Sequence, residues 1–396
     1  MGKSKKMKPY VLISGLALRD NNRGTAALGY GAVSFMYERG LLLDNQTIVN
    51  VRELGAKVFF KWVISHILGR DKSIIKVNNR KWIYKTCAFL PVEKRLVACN
   101  WFPLKKYLLS QRYASKISLV AAINGGDGFS DIYGEKIFRQ RLIGINFAME
   151  HKIPLILLPQ TVGPFNNREC LVMAETILKY ACKVYVRDEC FIKELEGMGA
   201  EFELTNDLSY YMKPEPWDIC VDSEKAVGVN VSGLAWDNKF ETLAGQFANY
   251  PLLMTGIVKM FQKKGKKVYL ISHSYNYQHP ELHNDDLKAA RELYDGLDDK
   301  SNVVLIDKDL ISPQVKYLIS RMSFFIGTRM HANFAAIFTH VPLFGLSYSY
   351  KFKGAFENNG IFNRTANINN VKIVQVENIL KNIESAYQED VEAKYN

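Results

Sequence analysis

The residues with the clearest chemical potential are Arg329 and His331, which lie two positions apart in the sequence Gly-Thr-Arg-Met-His-Ala-Asn. An apolar run of strand character ends at Gly327, and an Ala- and Phe-rich helical pattern follows. This order places a permanent cation and a titratable imidazole at the carboxyl end of a buried strand, where open α/β sheets bind ligands. A helix N-terminus already favours anions, so the motif predicts an anionic substrate with a proton to move.

A glycine-rich segment follows another predicted strand in the first half of the chain. It starts at Asn124 and carries the carboxylates Asp127 and Asp131. Glycines at a strand-to-helix turn let a ligand approach the backbone closely. A carboxylate beside an anionic ligand suits general acid or base work, although either Asp could instead cap the following helix.

Two more predicted strands of the first half end in polar groups. Gln160 supplies neutral hydrogen-bonding groups, and Arg187 supplies a second cation. Arg187 could equally form a structural ion pair with the acidic residues that follow it. Several polar strand ends in one chain favour a binding site over separate structural roles.

Two loops have compositions that suggest binding. The loop at residues 272–286 contains His273, two further histidines and two aspartates, but it lacks the helical i,i+4 spacing of a zinc site. Hydrogen bonding to a sugar is the favoured interpretation of this loop. The early loop at residues 15–24 could hold a phosphate or a sugar, although its glycine spacing does not match the dinucleotide fingerprint.

The elements that must position these residues follow an α/β pattern, in which short buried runs alternate with longer amphipathic stretches. Helices are predicted at residues 136–151 and 169–181. Strands are predicted at residues 10–14, 48–50, 117–123, 154–158, 183–186, 202–204, 226–231, 267–272, 302–306, 323–326 and 342–346. Pro214 and Pro216 bar both helix and central strand, so they mark a linker. The prediction is two doubly wound domains, residues 1–213 and 214–396, that face each other across a cleft.

Bulk properties agree with a two-domain cytoplasmic protein. A chain of 396 residues is too long for one ordinary core, and 48% hydrophobic with 23% charged residues is typical of a soluble globular protein. The basic start is followed by too short an apolar run for a signal peptide, and no stretch has membrane-spanning length. The six cysteines show no CxxC spacing, so neither zinc nor a redox pair is indicated.

The positive charge is concentrated in residues 51–116, which carry 15 Lys and Arg against 3 Asp and Glu, while the whole chain has a net charge of +12. Basic helices with aromatic and aliphatic faces are typical of an interfacial membrane surface. Alternatively, these helices pack on the first domain and their lysines are merely solvated. The membrane interpretation predicts peripheral attachment to the inner face of the cell membrane, or contact with an anionic acceptor, and no nucleic acid partner. The candidate surface residues are Trp62, Lys81, Trp82, Trp101, Lys105 and Lys106.

Six motifs in order resemble the polysaccharide pyruvyl transferase family. They occupy residues 125–134, 159–165, 184–189, 205–207, 327–332 and 345–348. The resemblance runs from about residue 15 to about residue 351, which is most of the chain. It implies two Rossmann-like domains arranged as in GT-B glycosyltransferases, with the donor on the C-terminal domain and the acceptor on the N-terminal one.

The resemblance also implies transfer of pyruvate from phosphoenolpyruvate to a sugar of a polysaccharide precursor, as a cyclic ketal with release of phosphate. The Arg-x-His motif of the family corresponds to Arg329 and His331, and its first-domain arginine to Arg187. Its loop carboxylate corresponds to Asp131 or Asp127, of which Asp131 is the better match. No cofactor or metal is implied, because phosphoenolpyruvate is a co-substrate and phosphate can leave into an arginine site.

The predicted roles follow from this chemistry. Arginine recognises phosphate and carboxylate through paired, permanently charged donors, so Arg329 and Arg187 are assigned to the donor anions. His331 is predicted as the acid and Asp131 as the base, although these roles could be exchanged. Further residues are assigned by position, to the donor or to the acceptor and cleft. The donor residues are Met330 and Gly327, and the acceptor or cleft residues are Asn124, Gln160, His273 and Tyr348.

Two other functions are also compatible with the sequence. A GT-B glycosyltransferase that uses a nucleotide sugar would share the architecture, and its diphosphate would suit an arginine at a helix N-terminus. A non-catalytic scaffold on a membrane surface would account for the basic segment. The predicted acceptor is a sugar or an oligosaccharide linked to a polyprenyl diphosphate.

Overall fold

The computed structural model describes residues 9–53, 56–70, 72–89, 114–348, 356, 359–361 and 363–394. The chain divides into two compact units. The first unit contains the described residues of Met1–Ala17 and Leu28–Tyr211, and the second contains those of Leu18–Ala27 and Met212–Asn396. The segment Leu18–Ala27 therefore belongs to the second unit, although it precedes most of the first unit in sequence.

The first unit is an α/β unit built on one sheet. Its strands are β1 (Tyr10–Ser14), β2 (Thr47–Glu53), β3 (Lys72–Val77), β4 (Arg80–Phe89), β5 (Ile117–Ala122), β6 (Leu155–Gln160), β7 (Lys183–Val186) and β8 (Glu203–Leu204). Its helices are α1 (Arg23–Glu38, which starts in the second unit), α2 (Ala56–Ile67), α3 (Glu135–Arg141), α4 (Ile143–Glu150), α5 (Arg168–Tyr180), α6 (Ile192–Gly197) and α7 (Leu208–Tyr211).

The strand order of the first sheet is β3-β4-β2-β1-β5-β6-β7-β8. All neighbours are parallel except β3 and β4, which form an antiparallel hairpin. The chain moves outward from β1 through β2 and then returns to place β5 on the other side of β1. In such sheets the ligand crevice lies at the carboxyl ends of the two strands where the order reverses, here β1 and β5.

The second unit has the same plan. Its strands are β9 (Ala226–Asn230), β10 (Lys267–Leu270), β11 (Val303–Leu305), β12 (Phe324–Gly327), β13 (Leu343–Ser347) and β14 (Thr365–Asn367). Its helices are α8 (Gly233–Asp237), α9 (Tyr250–Lys263), α10 (Asp286–Asp295), α11 (Ser312–Ser320), α12 (Met330–Ile337) and α13 (Ile373–Asp390), with short 3-10 turns at Glu241–Leu243 and Glu392–Lys394.

The second sheet is fully parallel in the order β11-β10-β9-β12-β13-β14. Its order reverses between β9 and β12, which are direct neighbours. Both faces carry buried apolar clusters, with Val229 and Ile326 in one and Phe325 in the other. A strand covered on both faces is apolar at nearly every position, which explains why β12 reads as a continuous apolar run.

The α/β prediction is confirmed, and each predicted strand coincides with an observed one to within three residues at either end. The predicted helix at residues 136–151 is two helices, α3 and α4, that meet at Leu142. The first helix expected in the basic segment is present as α2, and the second, expected after Pro103, lies outside the described residues. Residues 72–89 form the hairpin of β3 and β4, which the sequence pattern does not predict.

The hairpin turn explains that omission. Asn78 and Asn79 both adopt positive φ, at 47° and 67°, as a two-residue hairpin turn requires. Asparagine tolerates this conformation better than most residues with a side chain. Asn-Asn is a weaker sequence signal for a hairpin turn than Asn-Gly. The many lysines on either side also obscure the alternation of apolar and polar residues that is typical of strands.

Candidate active site

Arg329 lies at the point of order reversal of the second sheet. It follows β12 directly and is the N-cap of α12. Its backbone N–H donates to the Oδ1 atom of Asn230, the last residue of β9, at 2.9 Å. The backbone at Arg329 is thus held by the neighbouring strand, which places its side chain at the switch-point crevice.

The guanidinium of Arg329 is held by the start of α10. Nη2 donates to Asp286 Oδ1 at 2.7 Å and to Asn284 Oδ1 at 2.7 Å, and Nε donates to Asp286 Oδ1 at 3.0 Å. Burial lowers the pKa of Arg329, but the charges and hydrogen bonds of Asp286 and Tyr348 raise it by more. The side chain is therefore a permanent cation in one orientation.

Asp286 is the anchor of this site. Its side chain is 0% exposed and accepts backbone N–H bonds from Gly233 at 2.9 Å, His273 at 3.1 Å and Ser274 at 2.9 Å, in addition to Arg329. A buried carboxylate is stable only when charge and hydrogen bonds compensate its lost hydration. Asp286 therefore joins three segments of the second unit around the Arg329 guanidinium.

His331 lies in the first turn of α12, where its ring packs edge to face against Phe334 at 5.5 Å between centroids. The first turn of α1 approaches it from the same unit. A Cβ atom on Gly24 would lie 2.7 Å from His331 Nδ1, so only glycine fits at this position. The structure therefore packs residue 24 against the imidazole.

The early loop is anchored by Arg23. Its Nε donates to the carbonyl of Leu310 at 2.7 Å, its Nη2 pairs with Asp309 at 2.8 Å, and its guanidinium lies 4.2 Å from the ring centroid of Tyr275. These contacts hold residues 18–27 in the second unit. Arg23 therefore has a structural role in this loop, and a phosphate site is not needed to explain its guanidinium.

His273 lies among these cations. Burial lowers the pKa of His273 well below its usual range, and the nearby His331, Arg23 and Arg329 lower it further. The imidazole is therefore neutral at physiological pH. A neutral histidine in this position adds no repulsion for the cationic side chains around it.

The lowered pKa of His273 predicts a pH-dependent stability. The unfolded chain binds a proton near pH 6.5 that the folded chain does not bind, so stability falls as pH drops below about 6.5, by at most about 1.4 kcal/mol per pH unit. His273→Gln should reduce the loss of stability between pH 7.5 and 5.5, measured by urea unfolding. His279→Gln, at an exposed position, should leave it unchanged. Equal pH dependence in wild type and His273→Gln would contradict the assignment.

The other residues assigned to the second domain have separate roles. Tyr348 is brought to the site, where it lies close enough to the Arg329 guanidinium to raise its pKa. Met330 packs against the apolar cluster below α12, which fits a core role better than contact with a donor. Gly327 is required by packing, because a Cβ atom there would lie 2.2 Å from Asn333 Oδ1.

The loop at residues 272–286 uses its polar side chains to organise itself. Asp285 caps α10 by accepting from the backbone N–H of Lys288 at 2.9 Å, and His283 Nδ1 hydrogen-bonds Asp237. Across the described ranges, no group of three or more His, Cys, Asp or Glu side chains is arranged to hold a metal ion.

In the first unit, Arg187 follows β7 and is tightly paired. Nη1 donates to Asp207 Oδ2 at 2.8 Å, and Nε donates to Thr161 Oγ1 at 3.0 Å and Asp188 Oδ2 at 3.4 Å. Burial lowers the pKa of Arg187, and the charges of Asp207, Asp188 and Asp127 raise it by more. These contacts favour the structural alternative for Arg187, with Asp207 as its main partner.

Asp127 lies in the glycine-rich loop near Arg187. A Cβ atom on the adjacent Gly126 would come within 2.7 Å of Arg187 Nη1. The Asp127 carboxylate accepts from the Tyr133 hydroxyl at 2.9 Å, at the exposed side of the loop. Asp127 is therefore a partly accessible carboxylate with a cation close by.

Asp131 is a structural carboxylate. Its Oδ2 accepts the backbone N–H groups of Asn166 and Asn167, both at 2.7 Å, and its Oδ1 accepts from Asn166 Nδ2 at 3.1 Å. These bonds fasten the glycine-rich loop to the loop that precedes α5. The expectation that Asp131 is the better catalytic carboxylate is not supported by this arrangement, since proton transfer would disrupt the connection.

Gln160 and Asn124 are neighbours at the ends of β6 and β5. Gln160 Oε1 accepts from Asn124 N at 3.2 Å, and its Nε2 donates to the carbonyl of Ala122 at 3.3 Å. Gln160 is fully buried by these contacts and acts as a brace between strands. Neither polar atom of the Asn124 side chain has a hydrogen-bond partner in the described part of the chain.

The candidate membrane residues fall into three groups. Lys81 is exposed on the hairpin and Trp62 is half-buried on α2. Trp82 is buried and donates to the carbonyl of Leu43 at 3.3 Å, so its assignment to a surface is wrong. Trp101, Lys105 and Lys106 lie outside the described residues. No helix within the described ranges is long and apolar enough to cross a bilayer.

Sequence reasoning did not assign roles to Asp286, Asn284 or Asp207, which hold the two site arginines. Asp207 lies in one of the six motifs and Asp286 in the His- and Asp-rich loop, but neither is close in sequence to its arginine. A composition pattern cannot pair residues that are separated by 43 or 20 positions.

Solved structures with the same fold include UDP-GlcNAc 2-epimerases. The enzyme from Methanocaldococcus jannaschii is 10% identical over 95% of this chain and 91% of that chain, with a TM-score of 0.53. The enzyme from Neisseria meningitidis bound to UDP-GlcNAc is 10% identical over 98% and 92%, with a TM-score of 0.52. At such identity the likeness shows the fold alone, which is α/β with two Rossmann-like, GT-B-like sheets.

Sequence comparison identifies a family for this chain but no individual relative. No curated protein matches this chain. Residues 28–350, by contrast, match the family model of polysaccharide pyruvyl transferase. This range includes Arg329, His331, the glycine-rich loop and Arg187, so the chain belongs to the polysaccharide pyruvyl transferase family.

Proposed function

We propose that the protein transfers a pyruvyl group from phosphoenolpyruvate to a sugar of a polysaccharide precursor, as a cyclic ketal with release of phosphate. The observation that carries this proposal is the buried Arg329 guanidinium at the switch point of the second sheet, two residues from His331. Phosphoenolpyruvate has a phosphate and a carboxylate, and both are recognised by oriented arginine donors. The start of α12 adds backbone N–H groups that favour the same anions.

The reaction needs three changes at the donor. A proton adds to the methylene carbon, one sugar hydroxyl oxygen bonds to the adjacent carbon, and the bond from that carbon to the phosphate oxygen breaks. A second hydroxyl of the sugar then closes the ketal ring. The two hydroxyls release two protons, of which one balances the new methyl group and the other leaves with phosphate.

His331 is proposed as the acid that serves the donor, because it lies beside Arg329 on the first turn of α12. Arg329 would stay bound to the departing phosphate and stabilise its charge. Asp286 and Asn284 support this role, since they hold the guanidinium in one orientation before the substrate binds.

Asp127 is proposed as the base toward a sugar hydroxyl in the first unit. Asp131 is committed to three hydrogen bonds, whereas the Asp127 carboxylate accepts from Tyr133 at the exposed side of the loop. Arg187, buried beside Asp127, would act by attracting that carboxylate and holding it in place. The acceptor is accordingly assigned to the first unit.

The proposed function is tested by incubating the protein with phosphoenolpyruvate and a panel of galactose-type acceptors. The expected result is release of one phosphate for each product, and mass spectrometry should find the pyruvyl increment on the sugar. Release of UDP from a nucleotide sugar, with no phosphate from phosphoenolpyruvate, would instead favour a glycosyltransferase.

We also propose that an anionic membrane surface presents a lipid-linked acceptor. Support comes from exposed apolar residues on α2, namely Phe60, Ile64 and Ile67, and from the exposed Lys81 on the neighbouring hairpin. Exposed apolar groups beside cations bind anionic lipid at about 1 kcal/mol per cation.

The prediction is that the protein co-sediments with vesicles that contain anionic lipid, and that binding weakens as salt rises from 50 to about 500 mM. Ile64→Ser and Lys81→Gln should each reduce the bound fraction. Val172→Ser, at an exposed apolar position on α5, is the matched control and should have no effect. Binding that is absent, or that does not respond to salt, would refute the electrostatic surface.

A further inference from the structure

The first sheet also has a polar residue at its switch point. Asn124 lies two residues beyond the end of β5, beside the end of β1, and it is 2% exposed. Among the residues that the structure describes, its side-chain Oδ1 and Nδ2 atoms both lack hydrogen-bond partners. Buried amides without partners are rare and unfavourable, because the lost hydration is not replaced. A group absent from the free protein would satisfy both atoms.

Arg141, the last residue of α3, lies against the same turn. Its Nη1 donates weakly to the backbone carbonyl of Asn124 at 3.4 Å, and its guanidinium lies 5.0 Å from the ring centroid of Tyr133. Within the described part of the chain, no carboxylate oxygen lies within 4.0 Å of this guanidinium. It thus differs from Arg139 on the same helix, which pairs with Glu135 and Glu169.

The glycines of the loop allow the guanidinium to approach. Gly125 and Gly126 adopt φ of 73° and 84°, which bends the chain around the end of β5. A Cβ atom on Gly128 would lie 1.8 Å from Arg141 Nη1 and 1.9 Å from the Asn124 carbonyl. Glycine at position 128 is therefore required for the arginine to lie in the turn.

The buried amide and the guanidinium belong to residues that meet at one strand end. Asn124 follows β5 by two residues, and Arg141 Nη1 reaches its backbone carbonyl. Val120 and Ala122 of β5 pack in the same buried cluster as Leu142 and Ile145, which follow Arg141. The end of β5 and the end of α3 are thus held together by the core beneath them.

We propose that Asn124 and Arg141 form a subsite for an oxyanion carried by the acceptor sugar. The guanidinium and the Asn124 NH2 group would both donate to the oxyanion, and a neighbouring sugar hydroxyl would donate to Asn124 Oδ1. The oxyanion is a phosphate or a carboxylate on the sugar. The identification of the ligand as the acceptor rests on the proposed function, whereas the site itself does not.

Direct binding in the absence of phosphoenolpyruvate tests the subsite. Galactose 1-phosphate, galacturonate and neutral galactose are titrated into the full-length protein by calorimetry. We expect an anionic sugar to bind at least tenfold more tightly than galactose, and its chemistry identifies the source as phosphate or carboxylate. Arg141→Gln should remove this preference, while Arg139→Gln, the same change on the same helix, should keep it. Equal binding by Arg141→Gln and wild type would overturn the subsite.

Asn124→Leu provides a second test with an unusual combination of effects. Leucine has nearly the same size and leaves no unsatisfied polar atom, so the thermal midpoint should rise by a few degrees while the preference for the anionic sugar is lost. A purely structural Asn124 would give a lower midpoint with binding retained, which would refute the proposal.

Turnover separates this subsite from the proposed reaction. If Arg141→Gln raises KM for an anionic acceptor at least tenfold with little change in kcat, the subsite serves pyruvyl transfer. If no acceptor releases phosphate from phosphoenolpyruvate, yet the calorimetric difference persists, the reaction is wrong and the oxyanion subsite stands.

Discussion

Arg329→Lys is expected to lower kcat/KM for phosphoenolpyruvate by about 100-fold, as measured by steady-state phosphate release. One hydrogen bond to a charged group contributes about 1.5–3 kcal/mol, which corresponds to roughly 10- to 150-fold. The arginine donates to Asp286 and Asn284 through Nη2 and Nε, which fixes the plane of its guanidinium. A lysine ammonium has no planar set of donors, so it cannot keep these partners and also bind the substrate in the same geometry.

The lysine variant should remain folded, because its charge still compensates the buried Asp286 carboxylate. Its thermal midpoint is therefore expected to lie close to that of the wild type. Arg321→Lys, at an exposed position after α11, is the matched control and should have full activity. Near-normal turnover of Arg329→Lys would contradict the proposal that Arg329 binds the donor.

Asp286→Asn is expected to destabilise the second unit by about 3–5 kcal/mol and to abolish most activity. The substitution leaves the 11%-exposed Arg329 side chain without its counter-charge, and breaking a buried ion pair has a cost of this size. It also replaces one acceptor oxygen by an NH2 group opposite the backbone N–H groups of Gly233, His273 and Ser274. Thermal unfolding should show a midpoint lower by about 10 °C.

Asp309→Asn is the matched control for Asp286→Asn. Asp309 also pairs with an arginine of the second unit, Arg23, but its side chain is 63% exposed. Exposed pairs contribute about 0–1 kcal/mol, so the control should shift the midpoint by no more than a few degrees. If both variants lose the same stability, burial does not make the Asp286–Arg329 pair more stabilising than the exposed Asp309–Arg23 pair.

The strands could be predicted from the sequence because parallel strands covered on both faces are short, continuous apolar runs. This holds for β1 and β7, whose bounds match the prediction residue for residue. The hairpin of β3 and β4 was missed because its strands are half-exposed and rich in lysine. There the alternation is weak, and an Asn-Asn turn is an uncommon signal.

The candidate site was predictable where it depends on position along a strand. Arg329 and His331 follow a buried strand and begin a helix, and this local order is sufficient to place them at the ligand edge of a sheet. The structure confirms that placement at the point where the strand order reverses. The same reasoning placed Asn124 at a sheet edge, but it gave no reason to consider Arg141.

Only the tertiary structure shows which carboxylates are bound by other residues and which are accessible. Asp127 and Asp131 are equivalent by composition, but Asp131 accepts three bonds from residues 35 and 36 positions away. Asp207, 20 positions away, is the close partner of Arg187 at 2.8 Å, and the adjacent Asp188 is a longer contact at 3.4 Å. Hydrogen-bond partners are set by which strand ends meet at the sheet edge, and strand order is a property of the whole domain.

The sequence by itself determined the α/β class, every described strand except β3, β4 and β14, the family and the two arginines that follow strands, because these depend on local periodicity and on motif order. The tertiary structure alone decided which charges are free to act. Arg329 is held by Asp286, Arg187 is neutralised by Asp207, and Arg141 has no carboxylate partner among the described residues. Charge compensation acts through space over a few ångströms, so it depends on contacts that linear spacing does not contain.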